Sequence, residues 1–178
     1  MANDVNAPRR QGAVKFKGGP VTLVGPEVKT GGKAPDFKTL KGLDAVTLAD
    51  TPAKARLFSV VPSLDTPVCS TQTKRFEDGI KGLGDGVACY TVSLDLPFAQ
   101  KRFCTGENIA TMQTLSDVHN QSFGKNWGVL LDGLPLPLLA RAVFVVDKSG
   151  TVTHAEYVPE VTSEPNYDAA LAALKAAV

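Results

Sequence analysis

Leu57-Phe58-Ser59-Val60-Val61 runs directly into Pro62-Ser63-Leu64-Asp65-Thr66-Pro67-Val68-Cys69. The first five residues form a short apolar run with β-branched content, which reads as a buried strand. A proline commonly ends a strand, and Pro62 stands where this one stops. Thr66-Pro67 then reads as a helix N-cap followed by proline at the first helical position. The helical pattern continues to about Ile80. Cys69, Thr73, Phe76, Ile80 and Leu83 follow one another at spacings of four and three, so they share a face. That face is expected to meet the core, with Cys69 at its edge and its sulfur partly sheltered.

The same alternation extends in both directions. Val87–Val92 is a second buried-strand candidate, followed by a shorter helical stretch from Pro97 that carries Phe98, Arg102 and Phe103. Thr114-Leu115-Ser116 reads as a short strand, with a helix around residues 120–127 after it. Ala142–Val146 is the strongest strand pattern, turned by Asp147-Lys148-Ser149-Gly150 into Thr151–Val158. An Ala/Leu helix closes the chain from Ala169, with Thr162 or Ser163 available as its cap and Pro165 near its first turn. Towards the start, Val14–Lys17 and Val21–Val24 flank Gly18-Gly19-Pro20 as a β-hairpin, and a Gly-, Lys- and Thr-rich loop runs on to Pro35. Residues 1–13 read as a flexible tail and 14–178 as one α/β domain. Its helices flank a central sheet that is mostly parallel and mixed by the late hairpin.

Composition narrows the function classes. The chain has 178 residues, 43% of them hydrophobic, with 19 Lys plus Arg against 18 Asp plus Glu for a formal net charge of +1. Such a neutral, apolar-rich chain suits a globular fold rather than disorder. It lacks the basic excess of a nucleic-acid surface. No stretch reads as a secretory signal or a membrane span, because Val129–Val146 is broken by Asp132, Gly133, Pro135, Pro137 and Arg141. A cytoplasmic, soluble protein is expected, with neither nucleic acid nor membrane as partner. Neither histidine, His119 or His154, has zinc-ligand spacing with a cysteine, and there is no phosphate loop or GxGxxG. No metal and no cofactor are expected. Trp127 reads as packing, as do Leu134, Leu136, Leu138 and Leu139, which could also furnish an apolar wall. Asp65 and Asp95 flank the Cys69 segment and read as caps or solvated turns.

Three cysteines cannot staple a scaffold, and an odd number leaves a thiol unpaired. Cys69 falls at the third helical position, where free N–H groups and the helix dipole favour an anion. Taken alone it is equally well a small buried hydrophobe. Thr66 can cap the helix or face the sulfur. Arg141, beside an apolar strand, is accounted for by an ion pair at the sheet edge.

The motifs taken together resemble a family. Pro62-x-x-x-Thr66-x-x-Cys69 is similar to the active-site motif of the peroxiredoxins, thioredoxin-fold enzymes that reduce hydroperoxides. Asp95–Cys104 resembles the second-cysteine segment of the bacterial thiol peroxidases, the atypical two-cysteine group. Ala140-Arg141-Ala142-Val143 and Thr162-x-Glu164-Pro165-x-Tyr167-x-Ala169-Ala170-Leu171 match further segments of that group, and an N-terminal hairpin belongs to it too. The resemblance covers about Val14 to the C-terminus. It implies a thioredoxin-like fold, a central mixed sheet flanked by helices.

The resemblance also implies roles. Cys69 would be the peroxidatic cysteine, oxidised to a sulfenic acid by the peroxide. Thr66 would hydrogen-bond the thiolate and the peroxide, Arg141 would stabilise negative charge, and Pro62 would shield the site. Cys104 would be the resolving cysteine, closing an intrasubunit disulfide that thioredoxin reduces. Hydrogen peroxide and alkyl or lipid hydroperoxides would be the substrates, and a homodimer the assembly. The pairing also follows from position: Cys89 lies within a central-strand pattern, whereas Cys104 ends a short helical stretch where local unfolding costs little. A thioredoxin-type oxidoreductase would show C-x-x-C, but Ser70, Thr71 and Gln72 follow Cys69. A peroxide sensor that relays its disulfide to a partner protein is the alternative reading.

Overall fold

The computed structural model describes residues 7–178. Ten strands and four α-helices follow one another. The strands are β1 (Arg9–Phe16), β2 (Gly19–Val24), β3 (Lys38–Lys41), β4 (Asp44–Thr47), β5 (Ala55–Val60), β6 (Val87–Ser93), β7 (Gln113–Ser116), β8 (Leu130–Asp132), β9 (Ala142–Val146) and β10 (Val152–Tyr157). The helices are α1 (Pro67–Ile80), α2 (Pro97–Gly106), α3 (Ser122–Asn126) and α4 (Tyr167–Ala176).

The central sheet has seven strands in the order β10-β9-β5-β6-β7-β3-β4. Only β5 with β6 and β6 with β7 run parallel, joined by α1 and α2 as crossover helices. The other neighbours are antiparallel. The sheet is therefore mixed, but less parallel than the alternating pattern implies. Periodicity identifies a buried strand without giving its direction, and β9 enters beside β5 reversed.

Side-chain alternation sorts the sheet into two faces. Phe58, Val60, Tyr90, Val92, Phe144 and Val146 point into one core, with Phe123 and Trp127 stacked at 4.8 Å between ring centroids. Leu57, Cys89, Val143 and Val145 point the other way, under Phe76 and Ile80 of α1 and Ala170 and Leu174 of α4. A small sheet, β1-β2-β8, packs onto the first core through Val14, Leu23 and Leu130. Trp127 is fully buried, as expected of a packing residue, and Leu139 joins it, while Leu136 is exposed.

Several expectations need correcting. The hairpin starts at Arg9, so residues 9–13 are strand rather than tail; residues 1–6 lie outside the described residues. A register shift between Arg10 and Val14, with Gly12 at φ 63°, absorbs the polar residues at this edge. The Arg10 guanidinium lies 4.7 Å from the Tyr157 ring centroid and its Nε donates to Gly25 O, which holds the strand without apolar side chains. Asn166, not Thr162 or Ser163, caps α4 by accepting from Ala169 N at 3.0 Å. β3, β4 and β8, of three or four residues each, escaped the pattern because they are too short to show a period.

Asp117, fully buried after β7, accepts from Phe123 N at 3.0 Å and Gly124 N at 2.7 Å and so fixes the start of α3. Burial pushes its carboxyl up to about 7, against the opposing pull of those N–H groups. The folded chain thus binds a proton that the unfolded chain releases near pH 4, so this contribution to stability is full below ~4 and fades as pH rises through ~7. The unfolding free energy from urea titration should fall between pH 5 and pH 8, by at most about 1.4 kcal/mol per pH unit for one proton. Asp117→Asn should flatten that segment; an unchanged slope in the variant would refute the assignment.

Candidate active site

The strand β5 ends at Val60, and Val61 N donates to Val92 O, so the sheet holds the start of the loop. Pro62 is buried at the bend that follows. The loop turns back through Thr66 N to Ser63 O and enters α1 with Pro67 in its first turn. Thr66 is the N-cap in backbone terms, yet its side chain makes no cap bond. Its hydroxyl lies 2.8 Å from Ser63 O and 2.8 Å from Cys69 Sγ. Of its two open roles, it takes the one facing sulfur.

Cys69 is fully buried, more so than a helix-edge position implied. Val61, Leu64 and Phe103 close around it as a small apolar cluster. Arg141, two percent exposed, approaches from the residue before β9. Its Nε donates to Val161 O at 2.8 Å, one terminal nitrogen to Gln72 Oε1 at 2.7 Å, and the other to Cys69 Sγ at 3.4 Å. None of these partners is a carboxylate, so the ion pair expected for a sheet-edge arginine is absent among the described residues. A guanidinium keeps its charge in proteins, and a buried charge is costly unless an opposite one answers it. The Cys69 sulfur, 3.4 Å from a terminal nitrogen, is its neighbour on that side.

Thr66, Cys69 and Arg141 therefore converge on one sulfur, with Pro62 in the same loop. Cys104 stands apart. It is half-buried on α2, where burial pushes its thiol up and a hydrogen bond with the Thr114 side chain opposes this. None of the three cysteines is joined to another. Cys89 sits mid-strand in β6, where burial pushes its thiol up to about 12. Such a thiol is a poor nucleophile near neutral pH.

Two residues escaped the reading of the sequence. Gln72 is fully buried; its amide oxygen takes Arg141 and its amide nitrogen donates to Ser59 Oγ at 2.8 Å. The signal was a polar residue three positions after Cys69, on the same inward side of α1. Asp95, read as a solvated turn, instead gathers hydrogen bonds from Ser63, Leu64 and Ser93. Asp65 does sit in the open, 3.4 Å from Arg102.

The chain as a whole is similar to known proteins. The family profile described as Redoxin matches residues 29–171. The chain is 51% identical to the thiol peroxidase of Bacillus subtilis over 166 residues, covering 93% of this chain and 98% of that one. It belongs to the redoxin family, among the thiol peroxidases. The thiol peroxidase of Halalkalibacterium halodurans is likewise 51% identical, over 93% of this chain and 99% of its own. A peroxiredoxin-like protein from Aquifex aeolicus superposes with a TM-score of 0.86 at 42% identity, over 95% of this chain and 99% of that one. Among the described residues, no helix of this thiol peroxidase is long and apolar enough to cross a membrane.

Replacing Gln72 by leucine would leave a buried guanidinium N–H and the Ser59 hydroxyl without their partner. This should lower stability by about 1–3 kcal/mol, the cost of an unsatisfied buried group. Chemical denaturation of the reduced protein checks it; a variant as stable as the parent would show that Arg141 has found another acceptor.

Proposed function

We propose that this thiol-dependent peroxidase reduces hydrogen peroxide and alkyl or lipid hydroperoxides through Cys69, with Cys104 as resolving cysteine and thioredoxin as reductant. The observation that carries the reading is a buried cysteine sulfur that receives Thr66 Oγ1 and a guanidinium without a carboxylate partner. The Cys69 thiolate attacks the terminal peroxide oxygen; the O–O bond breaks, the alcohol or water leaves with a proton, and a sulfenic acid remains. Arg141 stabilises the thiolate and then the charge developing on the oxygens. Thr66, with one proton to donate and lone pairs to accept, orients the sulfur and the incoming peroxide. Pro62, buried at the start of the loop, keeps water from its backbone side.

Cys104 then attacks the sulfenic sulfur: an S–S bond forms, the S–O bond breaks, and the oxygen leaves as water. Both cysteines belong to one chain, and the disulfide closes a loop of about 35 residues, which chain entropy tolerates well. An external dithiol of the thioredoxin kind restores both thiols by exchange. A cytoplasmic location and a homodimer belong to the same reading, the homodimer resting on the family resemblance. The relay alternative needs the same reactive sulfur and differs in turnover.

Peroxide consumption with a thioredoxin couple separates these readings. Cys69→Ser should lose turnover by at least three orders of magnitude. Cys104→Ser should give one stoichiometric reduction and then stop, and Cys89→Ser should match the parent. Full activity in Cys69→Ser would overturn the mechanism, and full activity in Cys104→Ser only its resolving step. A parent that stops after one turnover would instead favour the relay. Oxidation should also raise protease sensitivity and amide exchange around 66–72 and 98–108; equal values in both redox states would refute the rearrangement.

A further inference from the structure

The two reactive segments are linked through one carboxylate, directly on the loop side and by way of Ser93 on the α2 side. Asp95 Oδ1 accepts from Ser63 Oγ at 2.7 Å and Oδ2 from Leu64 N at 2.8 Å, both in the loop that leads to Cys69. Oδ2 also accepts from Ser93 Oγ at 2.8 Å, and that same hydroxyl accepts from Gln100 Nε2 of α2 at 3.1 Å. Gln100 and Pro97 are the buried residues of α2, which begins two residues after Asp95. On the loop side, Ser63 O takes the Thr66 hydroxyl that reaches Cys69 Sγ. Hydrogen bonds therefore link Ser63, Asp95, Ser93 and Gln100, and the Thr66 hydroxyl sits between Ser63 O and the Cys69 sulfur, with one proton to give to either.

The rest of the contact between loop and helix is weak. Arg102 and Asp65 are 3.4 Å apart and exposed, and Phe103 is only partly buried on the Cys69 cluster. Charge-assisted bonds to a carboxylate are roughly twice as strong as neutral ones, so the Asp95 junction dominates.

We propose that Asp95 is a positioning residue for both cysteines: it holds the Thr66–Cys69 loop ready for peroxide while α2 is docked, and loss of its bonds releases the loop and α2 together so that Cys104 can reach the sulfenic sulfur. The assignment rests on the disulfide reading above. It makes the docked form the peroxide-reactive one and the released form the condensing one. The partition then has a chemical consequence. While docked, the sulfenic acid can meet a second peroxide, whose O–O bond breaks to give a sulfinic acid and an alcohol. Once released, it loses its oxygen as water to the disulfide.

The test uses the full reduced chain and hydrogen peroxide. Rapid mixing with intact-mass detection gives the peroxide-independent rate of disulfide formation, and amide exchange reports on 63–69 and 97–106. Asp95→Asn keeps the shape but puts an amide N–H where donors now point. It should accelerate condensation at least three-fold, raise exchange in both segments together and lower the yield of sulfinic acid per turnover. Ser63→Ala, which removes one loop contact and leaves the carboxylate, should move each readout the same way by less, and decides the matter alone if Asp95→Asn does not fold. Condensation at or below the parent rate, or exchange raised in one segment only, would overturn the assignment. Cys104→Ser run in parallel isolates the premise: if it still forms an intrachain disulfide, the resolving role fails, independently of Asp95.

Discussion

A buried guanidinium with no carboxylate beside it among the described residues governs this site. Arg141 reaches Val161 O, Gln72 Oε1 and Cys69 Sγ, all neutral unless the sulfur is ionised. Two neutral oxygens satisfy its N–H groups but leave its charge unanswered, and burial makes that expensive. In the proposed chemistry the sulfur 3.4 Å away carries the answering charge, so the arginine's burial serves the reaction. An exposed arginine would be answered by solvent and would press far less on the sulfur.

Holding that guanidinium requires the fold around it. β9 delivers Arg141 next to β5 because the two strands pair antiparallel, with Val60 opposite Ala142. α1 delivers Cys69 and Gln72 on one side because they are three residues apart. Beneath α1, the strands change character along their length. On β5 the side facing α1 reads Ala55, Leu57, Ser59, and on β6 it reads Cys89, Thr91, Ser93. The apolar members pack under Phe76 and Ile80, while Ser59 meets Gln72, Thr91 lies 3.4 Å from Thr73, and Ser93 meets Asp95. The sheet is apolar where it stabilises and polar at the carboxyl ends where it positions, the usual place for a site in an open α/β sheet.

That gradient shows what could be read from the residues and what could not. Thr66-Pro67 and the four-and-three spacing placed Cys69 at the third position of α1, because capping and periodicity are local properties. The strands β5, β6 and β9 were legible for the same reason: each buries both faces and so reads as a continuous apolar run. The direction of β9 was not, since pairing depends on partners far along the chain. The tie of Arg141 to the sulfur spans seventy-odd residues and was reached only through resemblance. Gln72 and Asp95 were missed differently. Their residue types are ordinary on surfaces, and only burial among Ser59, Ser63 and Ser93 gives them a task. A polar residue at every inward position near the strand ends was the available signal, once the inward face was assigned.

The contrast between Cys89 and Cys104 follows from how each is anchored. Cys89 pairs with Leu57 in the middle of the sheet, between β5 and β7, and its side chain lies in the core under α1. Moving it would break ladder bonds on both sides and open that core. Cys104 belongs to a ten-residue helix with Pro97 and Gln100 as its buried residues, and Leu96 and Phe98 beside them are exposed. Its far end is tied back by an exposed pair, Lys74 to Glu107 at 2.9 Å, and by the buried Glu77 carboxylate, which accepts from the N–H groups of residues 110–112. Burial alone would push the Glu77 carboxyl up, but those N–H groups outweigh it and hold it low. It therefore stays charged and keeps the segment after α2 fixed. A helix anchored firmly beyond its C-terminus can unwind, once its N-terminal junction at Asp95 opens, without losing its place. In the proposed chemistry that is what the resolving cysteine needs: a short excursion with a defined return, rather than the unfolding of a strand.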